Sequence, residues 1–155
     1  MKKYELTEET VTVYGKTLYR IRAVRDFGSV KTREFGGYIE KEENLSHFGN
    51  AWISGDARVS GDARVYGNAW VYGNAEVFNT RHFFVQGPIG SRDGYVTFYR
   101  TKDDTVEVRC GCFSGSLQEF VNQVEETHGG SRYEKEYKLA AELAKVCIRL
   151  EGESR

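Results

Sequence analysis

Through the middle of the chain an aliphatic residue returns at every sixth position. From Gly49 to Phe78 the hexads read Gly-Asn-Ala-Trp-Ile-Ser, Gly-Asp-Ala-Arg-Val-Ser, Gly-Asp-Ala-Arg-Val-Tyr, Gly-Asn-Ala-Trp-Val-Tyr and Gly-Asn-Ala-Glu-Val-Phe. The fifth place is always aliphatic: Ile53, Val59, Val65, Val71, Val77. A fixed short period of this kind predicts a β-solenoid. Gly followed by Asp or Asn suits a corner, because these residues tolerate left-handed backbone. The aliphatic residue points into the coil. The alanine two places earlier faces the same way by strand alternation. The fourth and sixth places then point outward, which makes Trp52, Trp70, Tyr66 and Tyr72 an aromatic face expected to meet partners.

On either side the period changes. Residues 1–36 predict a β-hairpin cap. Val11 and Val13 alternate with threonine, Tyr14-Gly15-Lys16 offers a turn, and Tyr19, Ile21 and Ala23 alternate with Leu18, Arg20 and Arg22. Gly36-Gly37 breaks that pattern. Residues 37–80 hold the repeats. Their start is ambiguous: Ile53 follows Leu45 by eight positions rather than six, which allows an insertion at Ser46-His47-Phe48 or a cap over 37–48.

Residues 81–155 predict a small α+β module. Phe83-Phe84-Val85 reads as a strand, Gly87 to Gly94 as a loop, and 95–101 with 105–109 as a hairpin. Cys110 to Gly115 reads as a tight loop. Ser116…Glu119 and Ser131…Glu134 are capping boxes opening two helices, the second reaching about Leu150 with Leu139, Leu143 and Val146 on its apolar face. The fold class is therefore mainly β, with a short parallel β-helix followed by a hairpin and two helices.

Composition narrows the function classes. The chain has 155 residues, 22 Lys+Arg against 23 Asp+Glu, and a formal charge of −1. That balance gives no general reason to bind nucleic acid. No apolar run approaches the roughly 20 residues that span a bilayer. The odd cysteine count (Cys110, Cys112, Cys147) and an early acidic turn after Met-Lys-Lys predict a cytoplasmic protein.

The hexads resemble the left-handed β-helix of the hexapeptide-repeat proteins. That resemblance implies three hexads per triangular coil, residues eighteen apart stacked on one face, and trimeric assembly. Trp52 would stack with Trp70, Ser54 with Tyr72 and Arg58 with Glu76. Gly36 to Ser46, Ile89 to Arg92, Thr97 to Asp103 and Cys110 to Leu117 are similar to segments of uncharacterised hexapeptide-repeat proteins of bacteria and their prophages. This kinship implies a homo-oligomeric, non-catalytic binder, in the host cytoplasm if phage-encoded, sequestering a nucleotide-type signal or a host defence component. An assembly module binding another protein through its Trp/Tyr face is the alternative. A hexapeptide-repeat acyltransferase is another.

Candidate chemistry is sparse. His47 and His82, at the two ends of the repeats, are the histidines placed for an acyltransferase base. The zinc carbonic anhydrases built on the resembled fold use histidines five apart, a spacing that is missing here. Cys110-x-Cys112 with His128 has the elements of a metal site but not its usual spacing, and an idle thiol pair is the plainer reading. Anion binding is the richest possibility. Ser114 and Ser116 precede a capped helix, whose N-terminus favours phosphate. Gly90-Ser91-Arg92 forms a second small-residue loop. Tyr99, Arg100 and Arg109 lie on the adjacent hairpin with Tyr95 and Lys102. The expected ligand site is therefore Gly90, Ser91, Arg92, Tyr99, Arg100, Arg109, Ser114 and Ser116. The same residues also serve plain roles, since serine caps helices and glycine makes turns. No catalytic residue, metal site or cofactor is assigned.

Overall fold

The alternation of residues 4–23 folds as an antiparallel pair, β1 (Tyr4–Val13) and β2 (Lys16–Ala23). Tyr14 and Gly15, at φ +51° and +78°, make the connection, the left-handed pair that matches hairpin twist. Leu18 and Ile21 are both buried although three apart. Leu18 lies on the opposite face from Ile21 and is buried in a small cluster of its own with Val11, Val13 and Tyr38.

Gly36 and Gly37 do not break the chain. They lie inside β3 (Phe35–Ile39), which continues the sheet. A β-carbon on Gly37 would stand 2.5 Å from the Ala57 carbonyl oxygen. These glycines let the first strand approach the coil.

The hexads form short parallel strands: β4 (Trp52–Ile53), β5 (Arg58–Val59), β6 (Trp70–Val71) and β7 (Glu76–Val77). Trp52 pairs with Trp70 and Arg58 with Glu76, eighteen positions apart. The first rung is longer. Tyr38 pairs with Arg58 and Leu45 with Val65, twenty positions apart, so the two extra residues fall at Ser46-His47-Phe48. The insertion is the arrangement found.

All five hexad alanines and all five aliphatic residues are buried. The five hexad glycines have φ between +63° and +69°. The resulting sheets are β1-β2-β3-β5-β7 and β4-β6.

The upstream end of the coils is closed by polar groups. In the second coil, the Ala69 and Ala75 carbonyls accept from Trp52 N–H (3.1 Å) and Arg58 N–H (2.9 Å). In the first coil the corresponding carbonyls find other donors. Ala51 O accepts from Lys3 Nζ at 2.6 Å, Ala57 O from Tyr38 N–H at 2.9 Å, and Ala63 O from Asn44 Nδ2 at 2.9 Å. Lys3 and Asn44 are fully buried polar residues whose role is this closure.

Contacts divide the chain into two compact units, Met1–Thr80 and Arg81–Arg155. The computed structural model describes residues 2–111 and 113–151. In the second unit, β8 (Phe83–Ile89), β9 (Gly94–Arg100), β10 (Val106–Cys110) and β11 (Phe113–Ser116) form an antiparallel sheet ordered β11-β10-β9-β8. Residues 113–116 are thus a strand, not part of a loop.

Helices α1 (Leu117–His128) and α2 (Arg132–Cys147) cover one face of that sheet. Their core joins Val96, Phe98 and Val108 to Phe120, Val124, Ala140, Ala141, Ala144 and Ile148. The Ser116…Glu119 capping box is made in both directions. The second is not made: Glu134 accepts from Gly130 N–H at 2.9 Å instead of Ser131 N–H, and Ser131 Oγ donates to His128 O instead of accepting from the helix. α2 stops at Cys147 and buries its alanines. Leu139, Leu143 and Val146 are exposed instead, at 70%, 46% and 69%. Spacing alone does not say which of two helix faces is wanted, and the alanine face allows the closer approach. Altogether the described residues are mainly β, with two helices and three sheets.

Candidate functional site

The expected anion residues do not converge. The register puts Gly90, Ser91 and Arg92 beyond the Ile89–Gly94 end of β8 and β9. Arg100 and Ser116 lie near the other end, beside Val106 and Glu107. Six residues of strand separate those ends, roughly 20 Å. Tyr99, Arg109, Ser114 and Ser116 share the sheet face opposite the helices, because they alternate with core residues or pair with residues that do. Arg100 points to the other face, is 2% exposed, and is held by Asp104 at 2.9 Å and Glu151 at 3.7 Å. Arg100 thus sits in ion pairs on the helix side of the sheet, and Tyr99 is fully buried.

Carboxylates already occupy the two amide cradles. Gly90 N–H donates to Glu136 Oε1 at 2.7 Å. At the start of α1, Ser116 N–H donates to Glu119 Oε1 at 2.8 Å, and Ser116 Oγ accepts from Glu119 N–H at 3.1 Å. The Ser116 backbone bond holds the Glu119 carboxyl below its usual range. Burial, then repulsion by Glu119 and Asp103, pushes the Glu107 carboxyl up, against a lowering hydrogen bond from Tyr99. Acid is thus concentrated where phosphate was expected, and an anion there meets like charge.

The histidines are committed elsewhere. His47 Nδ1 accepts from Lys3 N–H at 3.0 Å, and Nε2 faces Glu42 Oε1 at 2.8 Å. Since Nδ1 is an acceptor, the proton sits on Nε2 and is donated to Glu42. That bond is the main cause lowering the Glu42 carboxyl. The ring also stacks on Tyr4, centroids 4.1 Å apart. His82 is buried. Burial raises the Cys110 thiol, opposed by a hydrogen bond with Tyr137, so Cys110 is a poor thiolate donor. Cys112 lies outside the described residues. Among the described residues no three His, Cys, Asp or Glu side chains gather as a metal set.

The aromatic face is revised as well. Trp52 is fully buried and packs edge-on against Phe27, centroids 5.2 Å apart. The connection between β2 and β3 folds over the position that alternation marks as outward. Trp70 is half-buried and donates Nε1–H to Ser54 Oγ at 2.8 Å. Tyr66 and Tyr72 are 64% and 39% exposed.

Two features of the first unit escape a reading by period. One is Lys3. Burial, and then the Arg25 guanidinium, push its amine down to about 8 from 10.5. Between those values the unfolded chain holds more proton than the folded one, so this group's contribution to stability increases as pH rises through the window. The melting temperature of the native chain relative to Lys3→Met is expected to rise from pH 7.5 to about 9.5. A constant difference would show that Lys3 is not held in a depressed state. The other feature is a basic cavity containing Arg22 and Arg33. Arg22 sits in an alternating strand and Arg33 in a turn, so neither stands out by spacing.

A family model described as the YdcK beta solenoid repeat matches residues 57–73 and 63–79. The two matches overlap one hexad out of step, as a six-residue period requires. This chain carries a β-solenoid-type repeat. The match covers a short stretch, and no curated protein matches the chain. Among the described residues no helix is long and apolar enough to cross a membrane.

Proposed function

We propose that this chain is a non-catalytic, homo-oligomeric binding protein. In this reading it is built on a short left-handed β-helix and sequesters a small molecule of the phosphate-containing, nucleotide type. The observation that carries the non-catalytic part is the state of His47. A base needs a free nitrogen within reach of its acceptor, and both His47 nitrogens are engaged by Lys3 and Glu42. The eighteen-residue register supports a triangular coil, and the repeat match supports the solenoid class. The resemblance to bacterial and prophage hexapeptide-repeat proteins supports sequestration of a signal or a defence component. It also supports trimers. Native mass measurement on protein from cells is expected to find a multiple of the protomer carrying a small phosphate-containing molecule. Acetyl-CoA turnover with amine or sugar acceptors would overturn the reading.

The exposed residues of α2 favour a second reading, assembly. Leu139, Leu143 and Val146 follow the four-three spacing of a helix-pairing seam. A net charge of −1 offers little self-repulsion, so the occupant inferred for this face is a second copy of the chain. Leu143→Glu is expected to shift the native mass towards the protomer. Because Leu143 is exposed, stability should change by less than about 0.5 kcal/mol. An unchanged mass would remove this face from the interface.

A further inference from the structure

The cavity of the N-terminal hairpin measures about 350 Å³ and is lined by Glu5, Arg22, Ala23, Val24, Thr32 and Arg33. Two guanidiniums meet one carboxylate there. Arg22 donates Nε and Nη2 to the same Glu5 oxygen, at 2.9 and 2.5 Å, so Glu5 balances Arg22 alone. Among the described residues Arg33 has no ion-pair partner. The cavity therefore carries an uncompensated positive charge in a chain that is otherwise balanced.

The backbone at Arg33 points the same way. Its φ is +77°, a region disfavoured for any residue with a β-carbon and comfortable for glycine. The turn is fastened around it: Arg33 N–H donates to Ala23 O at 2.8 Å, and Thr32 donates both N–H and Oγ1–H to Asp26 Oδ1 at 2.8 Å. A strained conformation is held firmly and carries a long cation where glycine would fit better. Strain of this kind gathers at ligand clamps and switch regions. Beside it stands Phe35, the register partner of Arg22 and 53% exposed, with the Arg22 guanidinium 5.9 Å from its ring centre.

We propose that this cavity binds a phosphoryl group between Arg22 and Arg33, with Phe35 stacking a flat ring attached to it, the chemistry of a mononucleotide. Guanidinium planes bind phosphate oxygens in pairs, and a benzyl ring accepts any base face. The assignment rests on the reading of the chain as a binder of phosphate-containing small molecules, and it moves the site away from Gly90–Arg92 and Ser114–Ser116.

The test is calorimetric titration of the full chain at low salt with AMP, inorganic phosphate and adenosine. AMP is expected to bind most tightly. Arg33→Gly should lower AMP affinity at least tenfold while raising the melting temperature, because it removes the strain together with the cation. Phe35→Ala should weaken AMP and leave inorganic phosphate unchanged, and Arg92→Ala should leave AMP affinity unchanged. If Arg33→Gly melts higher and binds AMP as before, the site is wrong while the binding reading stands. If the native chain binds none of the three probes, site and phosphate-ligand reading fall together.

Discussion

Replacing Gly61 with alanine is expected to destabilise the first unit by about 3 kcal/mol or more. Two costs add. Gly61 has φ +64°, and an L-residue in that region costs about 1–2 kcal/mol. The new β-carbon would also lie 2.1 Å from the Phe78 carbonyl oxygen. That oxygen belongs to the backbone of the next coil, so it cannot swing aside as a side chain would. The coils must separate there, which strains the pairing of Val59 with Val77 nearby. Gly73 supplies the control. Its φ is +65°, with nothing within 4 Å of an added β-carbon, so Gly73→Ala should cost only the conformational term, about 1–2 kcal/mol. Urea unfolding followed by circular dichroism separates the two. Equal losses would mean that the coils do not stack at Gly61 as described.

Trp52→Ala is expected to cost about 3–5 kcal/mol, the range for emptying a buried aromatic site. Trp52 is fully enclosed, between Phe27 and the Gly36 backbone. Tyr66, 64% exposed, holds a comparable outward place in its hexad, and Tyr66→Ala should cost at most about 1 kcal/mol. Trp52→Phe sharpens the comparison. The Trp52 Nε1 is buried without a hydrogen-bond partner, and an unsatisfied donor is itself unfavourable. Phenylalanine keeps most of the ring and removes that donor, so its loss should be well below that of alanine. If Trp52→Ala proves as mild as Tyr66→Ala, the indole is a surface group after all.

What could be read from the chain follows from how local each determinant is. The hexad core was legible because inward and outward residues alternate within six positions, and every predicted inward residue is buried. The eighteen-residue pairing of Trp52 with Trp70 came from the resemblance, and the register agrees. Alternation points Trp52 outward because its cover comes from residues 24–34, which follow no period. Leu139, Leu143 and Val146 are exposed against expectation for a different reason. Helical spacing fits two faces of α2, and only the partner sheet chooses the alanine face. At the anion loops the sequence shows Glu119 as the partner of Ser116, whereas Glu136, which accepts from Gly90 N–H, comes from a helix 46 residues away and no local spacing reveals it. Arg33 was invisible, since a non-glycine residue at positive φ leaves no trace in composition.

Closure of the first coil by Lys3, Tyr38 and Asn44 has a consequence for how such a chain can change length. All three donors come from residues upstream of the first hexad. Rung number and termination are therefore written in separate stretches of sequence. Duplicating three hexads adds a full turn and returns every alanine carbonyl to the same edge, leaving the three donors facing what they face now. Duplicating one or two rotates the downstream chain by a third or two thirds of a turn. Steps of eighteen residues are therefore the additions that keep the face on which the chain leaves the coil.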